Sequence, residues 1–369
     1  MHFEDYLTGY EFSYSAPLNE SYISDKPILT IIVDVFYNLP LVRESIGSVL
    51  SQTYPNVELI IVDNGAYPEV KEYIHSVYQN SKNVALITFS KNVFAWDDVT
   101  LNVVVCWNAA LKYAKGKYIS HLSYDDMFSD NYAARMVQLF TENSNCCTAA
   151  PLAKIIDANG NVIGDTAAFN MRSKYTLGEV IAKNMISDDK DRMFTSPGEI
   201  CMFRTDSLRN AGGFDRIVDF SQVLKFSIEG ENGFDKEAFV YWRNHTNQLN
   251  KLATKSGSTF FKSELRGWNE SGIIEIWRAK FGKDKAKAIE LFRDRLLKNG
   301  ILSVVKINAS HFLIKAVLFN IASVMRNCPQ YLHLVLFVII REFIYLPIFA
   351  IPRIPRLIRR QFQKQTHVK

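Results

Sequence analysis

Pro27-Ile28-Leu29-Thr30-Ile31-Ile32-Val33-Asp34-Val35-Phe36-Tyr37-Asn38 opens the part of the chain that decides the fold. Ile28 to Val33 is an unbroken β-branched and apolar run, the pattern of a strand covered on both faces. From Leu39 to about Gln52 apolar residues return at helical spacing until Pro55 stops them, and Val57-Glu58-Leu59-Ile60-Ile61-Val62 is a second buried strand. Working outward, Pro68 to about Tyr78 reads as helix, Val84 to Phe89 as strand and Val99 to Ala114 as helix. Lys117 to Leu122 is a fourth strand, entered through the turn Lys115-Gly116. Strand and helix in alternation with short links require right-handed crossovers and a mostly parallel sheet covered on both faces. The fold class is α/β and Rossmann-like.

On either side the pattern is less regular. Residues 1–26 are polar and aromatic without a period and read as an arm. After a helix at about 130–143, Ala149 to Ile156 and Val162-Ile163 flank the turn Asp157-Ala158-Asn159-Gly160-Asn161 as a hairpin. Strands are expected near 199–203 and 237–243, and short helices over 205–211 and 219–229. The expected organisation is an arm (1–26), a main domain (27–255) divided after residue 128, a charged helical extension (256–300) and apolar, basic helices (301–369).

With 369 residues, 48% of them hydrophobic and 22% charged, the chain is neither disordered nor collagenous. Five cysteines with no CxxC pair argue against a secreted disulfide framework and a zinc site, and read as reduced, cytosolic thiols. The acidic N-terminus, without an apolar core, has no secretory pattern. Charge is unevenly spread. From Ile301 onward ten basic residues face one acid, Glu342, a net +9 that leaves −4 for the first 300 residues. Basic residues alternating with bulky apolar ones suit an anionic membrane surface better than nucleic acid. The apolar stretch from Tyr331 is broken by Arg341-Glu342 and Pro347, too soon to span a bilayer. In-plane helices are expected, with Ile354, Leu357, Ile358 and Phe362 inserted and Arg353, Arg356, Arg359 and Arg360 at the headgroups; an oligomerisation surface, hence a homodimer, is the competing use. The expected location is cytoplasmic and peripheral, at the inner face of the cell membrane.

Ligands of an open parallel sheet bind beyond the carboxyl ends of its strands, and the acids fall there: Asp34 after the first strand, Asp63 after the second, Asp125-Asp126 after the fourth. No GxG and no GxxxxGK[ST] exists to cradle a phosphate. Adjacent carboxylates offer another route, a hard divalent cation, Mn²⁺ or Mg²⁺, bridging protein and diphosphate oxygens. Capping of the following turns is the plainer use of the same acids.

The order of these pieces, from Pro27–Asn38 through Ser45–Gly65, Gly116-Lys117-Tyr118-Ile119, Asp125-Asp126, Gly212-Gly213-Phe214-Asp215 and Tyr241-Trp242-Arg243-Asn244-His245, resembles the family-two glycosyltransferases of the GT-A fold over about residues 27–250. The resemblance implies a nucleotide site at Val35, Phe36, Asp63 and Asp125, and metal ligation by Asp126 and His245. It also implies a diphosphate contact from Arg243 and a general base at Asp219. A base is needed because an acceptor hydroxyl is a poor nucleophile, and in-line attack then inverts the anomeric centre. The family's Glu before the base is Val218 here, which keeps Asp215 and Glu199 open as bases, and Trp107 replaces a common Arg. The expectation is an inverting, metal-dependent transferase that takes a nucleoside-diphosphate sugar, UDP-sugar favoured, to a lipid-linked glycan. The alternative is a GT-A scaffold that has lost catalysis and recruits partner transferases.

Overall fold

In the computed structural model the protein is described over residues 2–95, 98–165, 173–186, 201–217, 222–248, 260–310 and 314–342. Among these residues eleven strands form one mixed sheet: β1 (Phe12–Ser15), β2 (Leu29–Val35), β3 (Val57–Asp63), β4 (Val84–Phe89), β5 (Tyr118–Ser123), β6 (Met127–Phe128), β7 (Cys146–Ile156), β8 (Val162–Asp165), β9 (Tyr175–Leu177), β10 (Met202–Arg204) and β11 (Glu231–Arg243). Their spatial order is β1-β4-β3-β2-β5-β10-β7-β11-β6, with β8 beside β7 and β9 beside β11. Strands β4, β3, β2 and β5 run parallel, and β10 reverses direction between β5 and β7.

The apolar runs become central strands because both faces are covered. Leu29, Ile31, Val33 and Val35 point to one face, where helices α1 (Leu39–Leu50), α2 (Pro68–Asn80) and α4 (Tyr132–Glu142) pack. Ile32, Ile60, Val62 and Ile87 point to the other, against α3 (Leu101–Tyr113), with Trp107 and Phe214 in the same cluster. Each such side chain taken fully out of water is worth about 1.5–3 kcal/mol, so a one-residue slip of β2 is prohibitive. At the end of α1, Gln52 Nε2 donates to Ser48 O at 2.9 Å and Ser129 O at 2.8 Å. That amide ties the first crossover to the segment after β6.

Three elements differ from the sequence expectation. The arm supplies a 3₁₀ turn (Phe3–Leu7) and the edge strand β1, whose Phe12 meets Phe89 at 5.0 Å and whose Tyr14 stacks on Tyr113 at 4.0 Å. Four residues are too few for a period to register. Strand β11 is longer than its apolar part because Asp235 accepts the Glu237 and Ala238 amides at 2.8 and 3.2 Å, forming an irregularity before Phe239 resumes the pairing with β7. Over Gln222–Glu229 the chain forms a π-helical turn followed by a 3₁₀ turn in place of an α-helix. Other short helices are α5 (Gly178–Ile186) and α6 (Thr205–Asn210).

One compact unit comprises Met1–Gln248 and Ser263–Arg293 and includes α7 (Phe260–Glu270) in large part and α8 (Ile273–Phe281). A second comprises Leu249–Lys262 and Asp294–Lys369. Within it lie the later turns of α9 (Lys283–Ser310), α10 (Ile314–Asn327), a 3₁₀ turn at Pro329–Tyr331 and α11 (Leu332–Ile340). Tyr331 Oη donates to Asp294 O at 3.2 Å and fixes that turn to α9.

Candidate active site

Sheet register assembles the site. Val35 pairs with Asp63 across β2 and β3, and Asp34 with Ser123 across β2 and β5, so the carboxyl ends of the three strands lie side by side. β11 runs antiparallel to β6 with Tyr241 opposite Met127 and Val240 opposite Phe128. Continuing that register sets Arg243 alongside Asp125, which joins residues 118 positions apart.

On the β3 side Asp63 is buried, and its Oδ1 accepts the Ala66 amide at 2.6 Å. Its Oδ2 has no hydrogen-bond partner; Lys71 Nζ approaches no closer than 3.9 Å. Desolvation raises the Asp63 pKa, opposed by the Ala66 amide and Lys71. Gly65 turns the chain at φ 63°, and a Cβ there would collide with the backbone of Lys91 and Asn92. Asn92 Nδ2 in turn donates to Asn64 O at 2.9 Å, and Asn64 Oδ1 accepts the Val93 amide at 2.9 Å. Val35 is buried in the core, its carbonyl accepting the Asn64 amide at 3.0 Å. Phe36 is half-buried and meets Tyr67 edge-on at 5.2 Å. Tyr37 is one residue further, its ring 5.3 Å from Tyr124, whose hydroxyl donates to the Tyr37 hydroxyl at 2.9 Å.

On the β5 side Asp125, Asp126, Arg243 and His245 come together. Asp126 Oδ1 accepts the Arg243 amide at 2.7 Å, and His245 Nε2 lies 2.8 Å from Asp125 Oδ2. His245 Nδ1 accepts the Asn247 amide at 3.3 Å, which leaves the proton on Nε2 to be donated to Asp125. The Arg243 guanidinium is buried and engaged through every nitrogen: Nε donates to Asp125 O at 2.8 Å, Nη1 to Ala158 O at 3.1 Å, and Nη2 to Glu44. It stands behind the acidic turn as a strut, each of its nitrogens bonded to a protein acceptor.

Beneath the strand ends lies a cluster that sequence reasoning missed. Trp107 Nε1 donates to Asp34 Oδ1 at 2.9 Å, and the indole lies over His121 with ring centres 3.6 Å apart. Phe214 closes the same group edge-on at 5.3 Å from Trp107. His121 is buried with neither ring nitrogen hydrogen-bonded, and desolvation lowers its pKa to about 3. Burial pushes Asp34 up to about 6 against the Trp107 hydrogen bond. The signal available in the sequence was the substitution of Trp for a common Arg on α3, beside an acid one residue short of the end of β2.

Among the described residues no three of His, Cys, Asp and Glu form a set able to hold a metal unaided. The two carboxylates of the β5–β6 turn suit a hard cation whose remaining ligands come from elsewhere, whereas His245, expected as a ligand, has both ring nitrogens hydrogen-bonded. The glycosyl transferase family 2 model matches residues 30–210, from β2 through α6, and therefore takes in the strand-end acids and the Trp107, Asp34 and His121 contacts beneath them, but not Phe214, Arg243 or His245. Residues 30–210 belong to glycosyl transferase family 2. Among the relatives of this chain, hyaluronan synthase of Pasteurella multocida is 21% identical over 256 residues, 66% of this chain. Chondroitin synthase of P. multocida strain Pm70 is 21% identical over 267 residues, 69% of this chain. The chain spans only 25% and 26% of their lengths. The mannosyltransferase PcManGT of Pyrobaculum calidifontis, solved with GDP-Man and Mn²⁺, matches with a TM-score of 0.51 over 95% of this chain and 93% of that one, at 12% identity. That likeness, with the layered mixed sheet, makes the fold GT-A, as the sequence led us to expect.

For the family-2 base, two of the three candidates, Asp219 and Glu199, lie outside the described residues. Asp215 is described and buried: its Oδ2 accepts from Lys225 Nζ at 2.8 Å and its Oδ1 from the Ile217 amide at 3.1 Å. Arg216, next in the chain, is held by Asp98 at 2.9 Å and by Glu270, while Asp98 also accepts from Ser263 at 2.9 Å and Arg266 at 2.6 Å. This network fastens the segment 214–217 to α7. A carboxylate committed to a buried ammonium is poorly placed to collect a proton from an acceptor.

Proposed function

We propose that the chain is an inverting, metal-dependent glycosyltransferase that moves a sugar from a nucleoside diphosphate, UDP favoured, to a hydroxyl of a lipid-linked glycan in cell-surface polysaccharide synthesis. The observation that carries the reading is the convergence of Asp63, Asp125, Asp126 and His245 at the carboxyl ends of parallel strands. The unpartnered Oδ2 of Asp63 suits a base bearing a ring N–H, as uracil does, with Phe36 offering an apolar edge beside it. Asp125, oriented by His245, would accept from the ribose hydroxyls. Asp126 would hold Mn²⁺ or Mg²⁺, which would neutralise the departing diphosphate. Arg243 acts as a positioning residue: by fixing the Asp125 carbonyl and the Asp126 carboxylate it keeps both acids at the strand ends. Asp219 takes the acceptor proton. Relatives named as synthases of hyaluronan and chondroitin support chain-building as the context.

The basic, apolar C-terminal region would keep the enzyme on an anionic bilayer, at its inner face, where a lipid-linked acceptor lies. Calorimetry of UDP, GDP, CDP and dTDP, with and without Mn²⁺, tests the reading. Metal-dependent binding of one nucleotide supports it, whereas binding of none gives the site to a scaffold that recruits other transferases.

A further inference from the structure

Helix α11 has nine residues, of which only His333 is polar, yet one whole side of it faces solvent. Val335, Val338 and the following Glu342 are buried, spaced three and four apart, and Arg341 Nη2 satisfies Glu342 at 2.6 Å. On the opposite side His333, Leu336, Phe337 and Ile340 form a continuous exposed stripe, Phe337 being 63% exposed. Helix α10 behaves alike. Val317 and Val324 are buried, while Leu318, Ala322 and Met325 make a second exposed stripe one turn apart, with Leu318 at 59% and Met325 at 56%. The two helices adjoin through the 3₁₀ turn Pro329–Tyr331, within one compact unit.

Water is a poor neighbour for two apolar stripes presented by one hairpin, and a helix apolar on all sides needs a cover. The charges nearby say which. Within residues 294–342 the bases are Arg295, Lys298, Lys306, Lys315, Arg326 and Arg341 against two acids, Asp294 and Glu342, the latter buried and paired. Arg326 directly follows Met325 and is exposed. No helix among the described residues is long and apolar enough to cross a membrane, and nine residues reach less than half-way. A cover that is apolar at one depth, anionic at the next and entered without spanning is the interfacial zone of a bilayer.

We infer that the α10–α11 hairpin is an interfacial anchor that lies in the plane of an anionic bilayer, with Leu318, Met325, Leu336, Phe337 and Ile340 in the acyl zone and Arg326 at the headgroup phosphates. The inference deepens the proposed membrane location and rests on it, assigning the contact to described helices in addition to the residues beyond 342. A hairpin that enters by a stripe on each of its helices would fix the tilt of its unit, whereas a single tail would not.

The test is flotation of the full-length protein with vesicles of phosphatidylcholine alone and of phosphatidylcholine with phosphatidylglycerol. The expected result is binding to the anionic vesicles, weakened at least tenfold by F337E with I340E and restored toward wild type by F337W with I340L. Tryptophan emission from F337W should shift to the blue on those vesicles and be quenched by lipids brominated near the headgroup end of the chain. Failure of the wild-type protein to float defeats the membrane location itself. Undiminished flotation of F337E/I340E, with no shift for F337W, defeats the hairpin while leaving a tail anchor standing. Loss of a dimer in F337E/I340E without any vesicle binding in the wild type would instead assign the stripes to a second copy of the chain and overturn the inference. UDP binding, measured in parallel, should be unchanged in every variant and reports that the sheet is intact.

Discussion

His245 Nε2 and Asp125 Oδ2 stand 2.8 Å apart although 120 residues separate them in the chain, and the Asn247 amide on Nδ1 fixes which nitrogen bears the proton. A donated N–H orients the carboxylate and holds it against the repulsion of Asp34, which lies close enough for Asp125 to raise its pKa. Replacing His245 by Ala should therefore weaken metal-dependent nucleotide binding by about ten- to a hundredfold, the usual cost of losing such an orienting partner. His245→Gln, which can still donate, should recover part of it. Calorimetry with and without Mn²⁺ measures both, and an Ala variant as tight as wild type would remove the pair from the binding site.

Asp63 has one oxygen committed to the turn and one without a partner. Asp63→Asn retains an acceptor for the Ala66 amide but replaces the charged acceptor by an amide, so UDP affinity should fall about tenfold, near 1.4 kcal/mol, at little change in thermal stability. Asp63→Ala should lose both. Equal UDP affinity for Asn and wild type would mean that the carboxylate serves only to cap the turn.

What the sequence makes legible follows a physical division. The elements from β2 to β5 announce themselves because burial on both faces demands long apolar runs, and the ends of those runs locate Asp63 and Asp125-Asp126. Arg243 is drawn to the same place by β11, but that it is a buried strut depends on Glu44, Ala158 and the Asp125 carbonyl, three partners from distant segments that no local pattern encodes. The Trp107–Asp34–His121 cluster is hidden for the same reason: Asp34 and Trp107 stand out singly in the sequence, but nothing joins them to His121 until α3 is laid across β2 and β5. Strand β1 is too short to have a period and exists because β4 offers an unpaired edge.

The base candidates separate by variant. Asp215→Asn leaves the buried Lys225 ammonium without its counter-charge, a change that costs about 3–5 kcal/mol. Its expected signature is a lowered unfolding midpoint, with turnover reduced only to the extent that folded protein is lost. Asp219→Asn should instead abolish turnover, measured as UDP release with acceptor present, without moving the midpoint. If Asp215→Asn stays fully stable yet inactive, Asp215 is the base and the ion pair is incidental.

The cluster beneath the strand ends predicts a pH response in which two groups oppose each other. His121 is neutral in the fold down to about pH 3, whereas an unfolded chain protonates its histidines near their ordinary pKa of about 6.5. Its contribution is present above about 6.5 and is lost as pH falls toward 3. Asp34 runs the other way: the fold keeps its proton up to about 6, well above the ordinary value of 3.8, so stability from this group is present below about 4 and lost as pH rises to 6. Each effect is of the order of a few kcal/mol, that of His121 the larger. Asp34→Asn, whose carbonyl can still accept from Trp107, should be more stable than wild type near neutrality and should lose stability more steeply on acidification. His121→Phe should resist acid better than wild type. Urea midpoints taken between about pH 4 and pH 7 distinguish the three proteins, and parallel curves for wild type and Asp34→Asn would show that Asp34 is already ionised at the foot of that range, with the Trp107 hydrogen bond outweighing its burial.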